Sequence, residues 1–171
     1  MSAGTKHLRD FIRRFRELGA EDFAEVCVEP VIVGTMIVGE VAAVPRRERR
    51  THKATGDTEY LPTGSVIERV WPIVRANFLR DDALILVGQA ASCDIVIPEY
   101  TLSQQHCGFT VTRPQQLVDL GSLNGTSVEG NNLAPLAPHA LRNGDHVRMA
   151  RLEFVYYTAR GFAAQIAALA S

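Results

Sequence analysis

The sequence predicts an all-β domain of antiparallel strands, either a sandwich or a barrel, preceded by a helical extension. From Val66 onward, short β-branched and apolar runs alternate with turn residues at intervals of about 8–12 residues, which is typical of both folds. Residues 8–18 instead repeat their apolar positions at helical spacing. Apolar residues make up 46% of the 171 residues, which is enough to fill the core of one such domain.

The first element is an amphipathic helix. Apolar residues recur along one of its faces at the i, i+3, i+4, i+7 spacing: Leu8, Phe11, Ile12, Phe15 and Leu18. Thr5 is a candidate N-cap, and Gly19 suits the left-handed position after the helix. We expect the apolar face to pack on the following domain or on a second copy, because phenylalanines bury well against a sheet. A partner or membrane surface is the alternative.

Two further elements and a long loop precede the β domain. Residues 20–27 predict a short helix ended by Pro30, and residues 31–38 predict a buried strand. Residues 42–64 are rich in charged residues, Pro and Gly, which indicates a long loop. Its basic run, Arg46 to Arg50, could contact nucleic acid or another anion, but such runs are more often solvated loops.

The remaining strands are predicted to be short. They cover residues 66–75, 83–88, 94–97, 108–111, 117–120, 127–128, 146–149 and 153–157. An alanine-rich tail, with Ile166 and Leu169 at helical spacing, predicts a short closing helix. We therefore divide the chain into a helical extension (1–30), a leading strand with a polar loop (31–65), the β domain (66–158) and a C-terminal helix (159–171).

Charge and cysteine content exclude several classes of function. Lys and Arg total 18 and Asp and Glu total 19, so the formal net charge of −1 gives no general attraction to nucleic acid or anionic membranes. The three cysteines are widely spaced and form no Cys/His cluster, so we expect no disulfide framework, no metal and no cofactor. No apolar run approaches the ~20 residues of a membrane span, and charges interrupt any signal-peptide core, so we expect a cytoplasmic protein.

Five short motifs lie between Gly88 and Asp145. They are Gly88-Gln89, Asp94-Ile95-Val96-Ile97-Pro98, Ser103-Gln104-Gln105-His106, Asp119-Leu120-Gly121-Ser122-Leu123-Asn124-Gly125-Thr126 and Asn143-Gly144-Asp145. In this order and spacing, residues 66–158 resemble the forkhead-associated (FHA) domain family. The resemblance implies an antiparallel β-sandwich that is not a catalyst. It also implies binding of phosphothreonine peptides, downstream of Ser/Thr kinases, through loops at one end.

The resemblance assigns a role to each motif residue. Ser103 matches a serine whose hydroxyl donates to the phosphate, and Asn124 matches the asparagine that contacts the peptide backbone. Leu123 occupies a position near the peptide that is often hydroxylic. Five residues are expected to shape or brace the loops: Gly88, His106, Gly121, Gly125 and Thr126.

Two departures from the family pattern weaken the phosphate site. Gln89 replaces the usual arginine, and Gln104 replaces a frequent Arg or Lys. A charged hydrogen bond contributes roughly 1.5–3 kcal/mol and a neutral one about 1, so the two changes together cost on the order of 1–4 kcal/mol of binding. Arg75, Arg80 or a loop arginine could compensate. We therefore expect a protein-binding adaptor with weakened or phosphate-independent recognition, and the alternative is a phosphothreonine reader.

An enzyme is the rival class. Ser103 and His106, with Asp119 or Asp145, supply the residue types of a nucleophile, a base and an orienting acid. No Gly-x-Ser-x-Gly, HExxH or phosphate-binding glycine loop accompanies them, so no enzyme activity is expected. The expected partner is a protein or peptide, not nucleic acid or membrane. The oligomeric state does not follow from the sequence.

Overall fold

Two β-sheets packed face to face form the centre of the computed structural model, which describes residues 6–38, 66–76 and 83–171. The elements in chain order are β1 (Lys6–His7), α1 (Leu8–Leu18), α2 (Ala20–Val26), β2 (Val31–Ile37), β3 (Arg69–Pro72), β4 (Leu84–Gly88), β5 (Ile95–Val96), β6 (Cys107–Thr110), β7 (Gln116–Asp119), β8 (Thr126–Val128), β9 (Asn131–Asn132), β10 (His139–Ala140), β11 (His146–Met149), β12 (Leu152–Tyr157) and α3 (Ala159–Ala170). The predicted antiparallel sandwich with flanking helices is confirmed.

The two sheets differ in size. One has the strand order β1-β3-β2-β12-β11-β8-β9, and the other has the order β10-β7-β6-β4-β5. Every pair is antiparallel except β4 with β5. The core between the sheets follows the alternation of the strands: on β11, Val147 and Met149 are buried while His146 and Arg148 are exposed. The strand predicted at 146–149 is confirmed.

The helices cover one part of the outer face of the larger sheet. There α1 and α3 enclose a second apolar cluster with Val31, Val33 and Val70 of the sheet. Phe11 meets Phe162 of α3 edge-on, with ring centroids 5.1 Å apart, and Phe15 meets Phe23 of α2 at 5.3 Å. The apolar face of α1 therefore packs on its own chain, as expected.

Several predicted bounds differ from the structure. The strand expected at 66–75 is only Arg69–Pro72, because residues 66–68 form a turn in which Glu68 has φ +60° and donates its N–H to the Gly34 carbonyl at 2.7 Å. The last helix begins at Ala159, at the predicted start of the C-terminal segment, where the Thr158 hydroxyl caps it by accepting the Gly161 N–H at 3.1 Å.

Other predictions fall outside the described residues. Thr5, the 42–64 loop with its basic run, and Arg80 all lie there. The division of the chain into four segments stays a prediction, although β2 is hydrogen-bonded between β3 and β12 and so belongs to the same sheet as the strands after residue 66. Within the described ranges, no helix has the length and apolar character needed to cross a membrane.

Candidate peptide-recognition site

Three loops meet at one end of the sandwich. The resemblance implies binding loops at one end, and the structure joins the segments around Gly88, Ser103 and Asn124 there by hydrogen bonds. Gln89 N–H donates to the Ser103 carbonyl at 3.1 Å, and Leu123 N–H donates to the Ser103 hydroxyl at 3.0 Å. The Asn124 side-chain amide donates to the Thr101 carbonyl at 2.7 Å. The loop at 101–106 is therefore held between the other two.

Gly88 sits where two backbones come unusually close. A Cβ atom at this position would lie 2.2 Å from the Gln104 carbonyl oxygen and 2.9 Å from that of Ser103. Only glycine leaves room for this approach. The closeness allows Gln89 and Ala90 to donate their N–H groups to Ser103 and Gln104.

His106 is fully buried and joins two of the loops. Its Nδ1 accepts the Ser103 backbone N–H at 3.1 Å, and its Nε2 lies 3.0 Å from the Gly125 carbonyl. Because a carbonyl only accepts, the proton of the neutral ring is on Nε2. Burial lowers the pKa of His106, although the Gly125 carbonyl and Asp119 oppose this. The ring therefore works as a neutral brace.

The His106→Ala variant is expected to lose about 1–3 kcal/mol of unfolding free energy, because two buried hydrogen bonds between the loops are lost.

Stability should also depend on pH through this histidine. The folded-state pKa of His106 lies below the 6.5 of an unfolded histidine, so the unfolded chain binds more protons as the pH falls below 6.5, and the stability of the wild-type protein declines there. Urea unfolding at pH 7 and pH 5 measures both effects. The exposed His146→Ala is the control, and a variant that keeps the wild-type pH dependence would show that His106 is not its source.

Asp119 anchors the third loop from beneath. Its carboxylate accepts the N–H groups of Gly121 and Ser122 at 2.9 and 3.1 Å, and the hydroxyls of Ser122 and Thr126 at 2.6 Å each. Burial on its own would raise the pKa of Asp119, but these hydrogen bonds to the charged form outweigh it and keep the pKa below its usual value. Asp119 lies in a sequence motif, but the sequence alone does not reveal this role. The hydroxyls at Ser122 and Thr126 were the available signal.

A buried ion pair fixes the loop that precedes Ser103. Arg151 donates from Nε and a terminal nitrogen to one Glu99 oxygen at 3.0 and 2.7 Å, and its guanidinium lies 4.6 Å from the centre of the Tyr100 ring. The other Glu99 oxygen accepts the N–H and the hydroxyl of Thr101. This pair could not be recognised from the sequence, since 52 positions separate the two residues. The positive charge of Arg151 is thus matched by a carboxylate.

The side chains predicted to contact a ligand differ in orientation and in exposure. The Gln89 amide turns into the loop and donates to the Leu102 carbonyl. Gln104 is exposed, and Leu123 is 88% exposed at the tip of its loop. Ser103 keeps its hydroxyl hydrogen free to donate, because its oxygen acts as acceptor toward Leu123. Asn124 likewise keeps its side-chain oxygen as an acceptor.

Arg75, one of the residues that could have supplied a missing charge, lies elsewhere. It donates to the Leu84 carbonyl at 3.5 Å, at the start of β4, whereas Gly88 ends that strand. Four residues of a strand span roughly 13 Å. In the described part of the chain, none of the hydrogen bonds of Gln89, Ser103 or Gln104 involves a lysine or arginine.

The Ser103 hydroxyl and the His106 ring do not form a nucleophile–base pair. His106 contacts the Ser103 backbone N–H, while the Ser103 hydroxyl contacts Leu123 instead. A nucleophile requires its base within hydrogen-bonding reach of the hydroxyl. Among the described residues, no three His, Cys, Asp or Glu side chains are grouped so as to hold a metal ion.

Comparison with known proteins gives the relationship of the chain. The FHA domain family profile matches residues 85–150. The glycogen accumulation regulator GarA of Mycobacterium tuberculosis is 33% identical over 111 residues, which cover 63% of this chain and 67% of GarA. The oxoglutarate dehydrogenase inhibitor of Corynebacterium glutamicum is 30% identical over 109 residues, which cover 62% of this chain and 74% of the inhibitor.

A solved structure is similar as well. The FHA domain of a Chlamydia trachomatis protein superposes with a TM-score of 0.48 at 16% identity, over 75% of this chain and 96% of that domain. The two bacterial relatives are named as a regulator and an inhibitor. From the match to the family profile and the identity to these relatives, the chain belongs to the FHA domain family.

Proposed function

We propose that this protein is a non-catalytic adaptor that binds a partner peptide through the three loops at one end of the sandwich, without depending on a phosphate. The observation that supports this most directly is the Gln89 side chain. It is neutral, and one of the two hydrogens of its amide nitrogen is donated to the Leu102 carbonyl. By the resemblance of the motif this position matches the family's arginine, and Gln89 offers a phosphate no charge there and at most one remaining N–H.

Energetics favour the same proposal. A phosphothreonine carries about −1.5 to −2 charge and binds best to charged, forked donors. Replacing a charged hydrogen bond by a neutral one forfeits about 1–2 kcal/mol. With both Gln89 and Gln104 neutral, a phosphate gains little from this surface beyond the hydroxyl of Ser103.

The groups that remain suit an extended peptide. Asn124 presents a carbonyl oxygen to a backbone N–H, and Ser103 presents a hydroxyl hydrogen. Leu123, held next to them by its bond to Ser103, adds an exposed apolar contact. An apolar residue beside backbone-binding groups recognises the main chain and one apolar side chain of a partner, with no need of phosphorylation.

The partner class follows from the relatives. GarA is named for glycogen accumulation and the corynebacterial relative for inhibition of oxoglutarate dehydrogenase. We propose that this chain likewise binds and regulates another protein in the cytoplasm, with no catalysis of its own. The second candidate is phosphothreonine recognition downstream of a Ser/Thr kinase. It is favoured by Ser103, whose hydroxyl can still donate to a phosphate.

Restoring the charges tests the proposal. In a library of heptapeptides with a central phosphothreonine, the Gln89→Arg variant and the double variant with Gln104→Arg are expected to bind about 10- to 100-fold more tightly than wild type. Binding of the same library with unmodified threonine should stay the same, which calorimetry can measure. Gln165→Arg, on α3, adds the same charge far from the loops as a control. An unchanged affinity for both libraries would contradict the proposed role of Gln89.

A further inference from the structure

A polar cleft of about 200 Å³ opens beside Asn124, outside the surface described above. Its lining includes Asn124, Gly125, Ser127, Asn132, Arg148 and Ala150. The strand register explains this grouping, because Arg148 of β11 is paired with Ser127 of β8, and Ser127 is paired with Asn132 of β9. One row of side chains therefore crosses the outer face of the larger sheet and ends next to the recognition loops, with the buried Ser127 between the exposed Arg148 and Asn132.

Arg148 is the charged side chain of this cleft. Its Nε donates to the Ala150 carbonyl at 2.9 Å, which holds the guanidinium against the strand and leaves the two terminal nitrogens as donors. Glu153 is its register partner on β12, yet in the described ranges no carboxylate oxygen lies within 4 Å of the Arg148 guanidinium. Arg151, the other arginine at this end, is paired with Glu99.

We propose that this cleft receives an acidic side chain of the bound partner, with its carboxylate on Arg148. The inference rests on the proposed function, since Asn124 borders both the cleft and the peptide surface. An extended peptide advances about 3.3 Å per residue, so a chain held at Asn124 reaches the cleft within a few residues. The planar fork of arginine matches a carboxylate, and the neutral amides and hydroxyl that line the cleft add further donors.

Paired peptides test the inference. Heptapeptides with a central threonine carry Asp or Asn at one flanking position at a time, and their affinities for wild type, Arg148→Gln and Arg148→Lys are compared. On one side of the threonine, Asp is expected to bind about 3- to 10-fold more tightly than Asn to wild type. Arg148→Gln should abolish this preference and Arg148→Lys should keep part of it. Arg142→Gln, which removes an exposed arginine at the opposite end of β11, should leave it unchanged.

A small probe separates the cleft from peptide recognition. Titration of the labelled protein with N-acetyl-aspartate amide should shift the NMR signals of the Arg148 Nε–H and the Asn124 side chain in a saturable way. N-acetyl-asparagine amide, or the Arg148→Gln variant, should give no such shift. If the probe binds at Arg148 but no threonine peptide binds the protein, the carboxylate site in the cleft is supported and the proposed peptide recognition is contradicted. Equal binding of Asp and Asn peptides, or probe shifts only around Ser103, would overturn the inference.

Discussion

Replacement of Gly88 by alanine is expected to destabilise the domain by about 3 kcal/mol and to detach the loop that carries Ser103. The new Cβ would lie 2.2 Å from the Gln104 carbonyl oxygen and 2.8 Å from its carbon. Both atoms belong to the backbone, so no side-chain rotation can relieve the overlap. The strand and the loop must separate, and the bonds from Gln89 and Ala90 are then lost. Urea unfolding gives the change in unfolding free energy.

Gly108→Ala is the matched control for Gly88→Ala. Gly108 lies on the neighbouring strand β6, and a Cβ there would lie 3.0 and 3.1 Å from Cβ and Cδ1 of Leu84 and 3.5 Å from the Ile85 carbonyl oxygen. These contacts are much less severe than the 2.2 Å backbone contact at Gly88, and a shift of a few tenths of an ångström relieves them, so the loss should be about 1 kcal/mol or less. Equal losses in the two variants would contradict the importance of the backbone contact at Gly88.

The Asp119→Ala variant is expected to lose about 2–4 kcal/mol, because four donors that point at one carboxylate become unpaired together. The loop with Leu123 and Asn124 should loosen, so peptide affinity should fall with stability. Asp145→Ala is the control. Its carboxylate accepts a single backbone N–H, from Arg142 at 2.8 Å, in a turn at the other end of β11, and it should cost about 1 kcal/mol with binding unchanged.

From the lowered pKa of Asp119 we also predict that the stability of the domain falls at acidic pH. Because its folded-state pKa is below the 3.8 of an unfolded aspartate, its contribution is complete above that value and is lost as the pH falls through the folded pKa. Wild type should therefore lose stability below about pH 4 more steeply than Asp119→Ala does. Parallel acid-unfolding curves for the two proteins would show that the carboxylate does not stabilise the fold in this way.

Elements with a clear periodicity could be predicted from the sequence. The stripe of α1 and the alternation along β11 depend only on neighbouring residues in the chain, and both lie where expected. Bounds set by distant contacts could not be predicted. The strand expected from residue 66 begins at Arg69 because the preceding turn packs against Gly34, which is 32 positions away from Val66 in the chain.

In the site too, features set by contacts between distant parts of the chain could not be predicted from the sequence. The residue types at Ser103, His106 and Asn124 could be recognised from the motif, and the structure brings them together. The orientation of Gln89 could not be predicted, since it depends on where the Leu102 carbonyl lies. The Glu99–Arg151 pair and the cleft at Arg148 were missed for a similar reason, because each is assembled from strands and turns that are remote in sequence.

One peptide library, prepared in two forms, tests whether recognition by the three loops depends on a phosphate. Wild-type protein is titrated with heptapeptides that have a central threonine, and with the same heptapeptides phosphorylated at that threonine. Because Gln89 and Gln104 are neutral, we predict dissociation constants that agree within about 3-fold. A preference of about 100-fold or more for the phosphorylated form would contradict a phosphate-independent site and would establish the protein as a phosphothreonine reader.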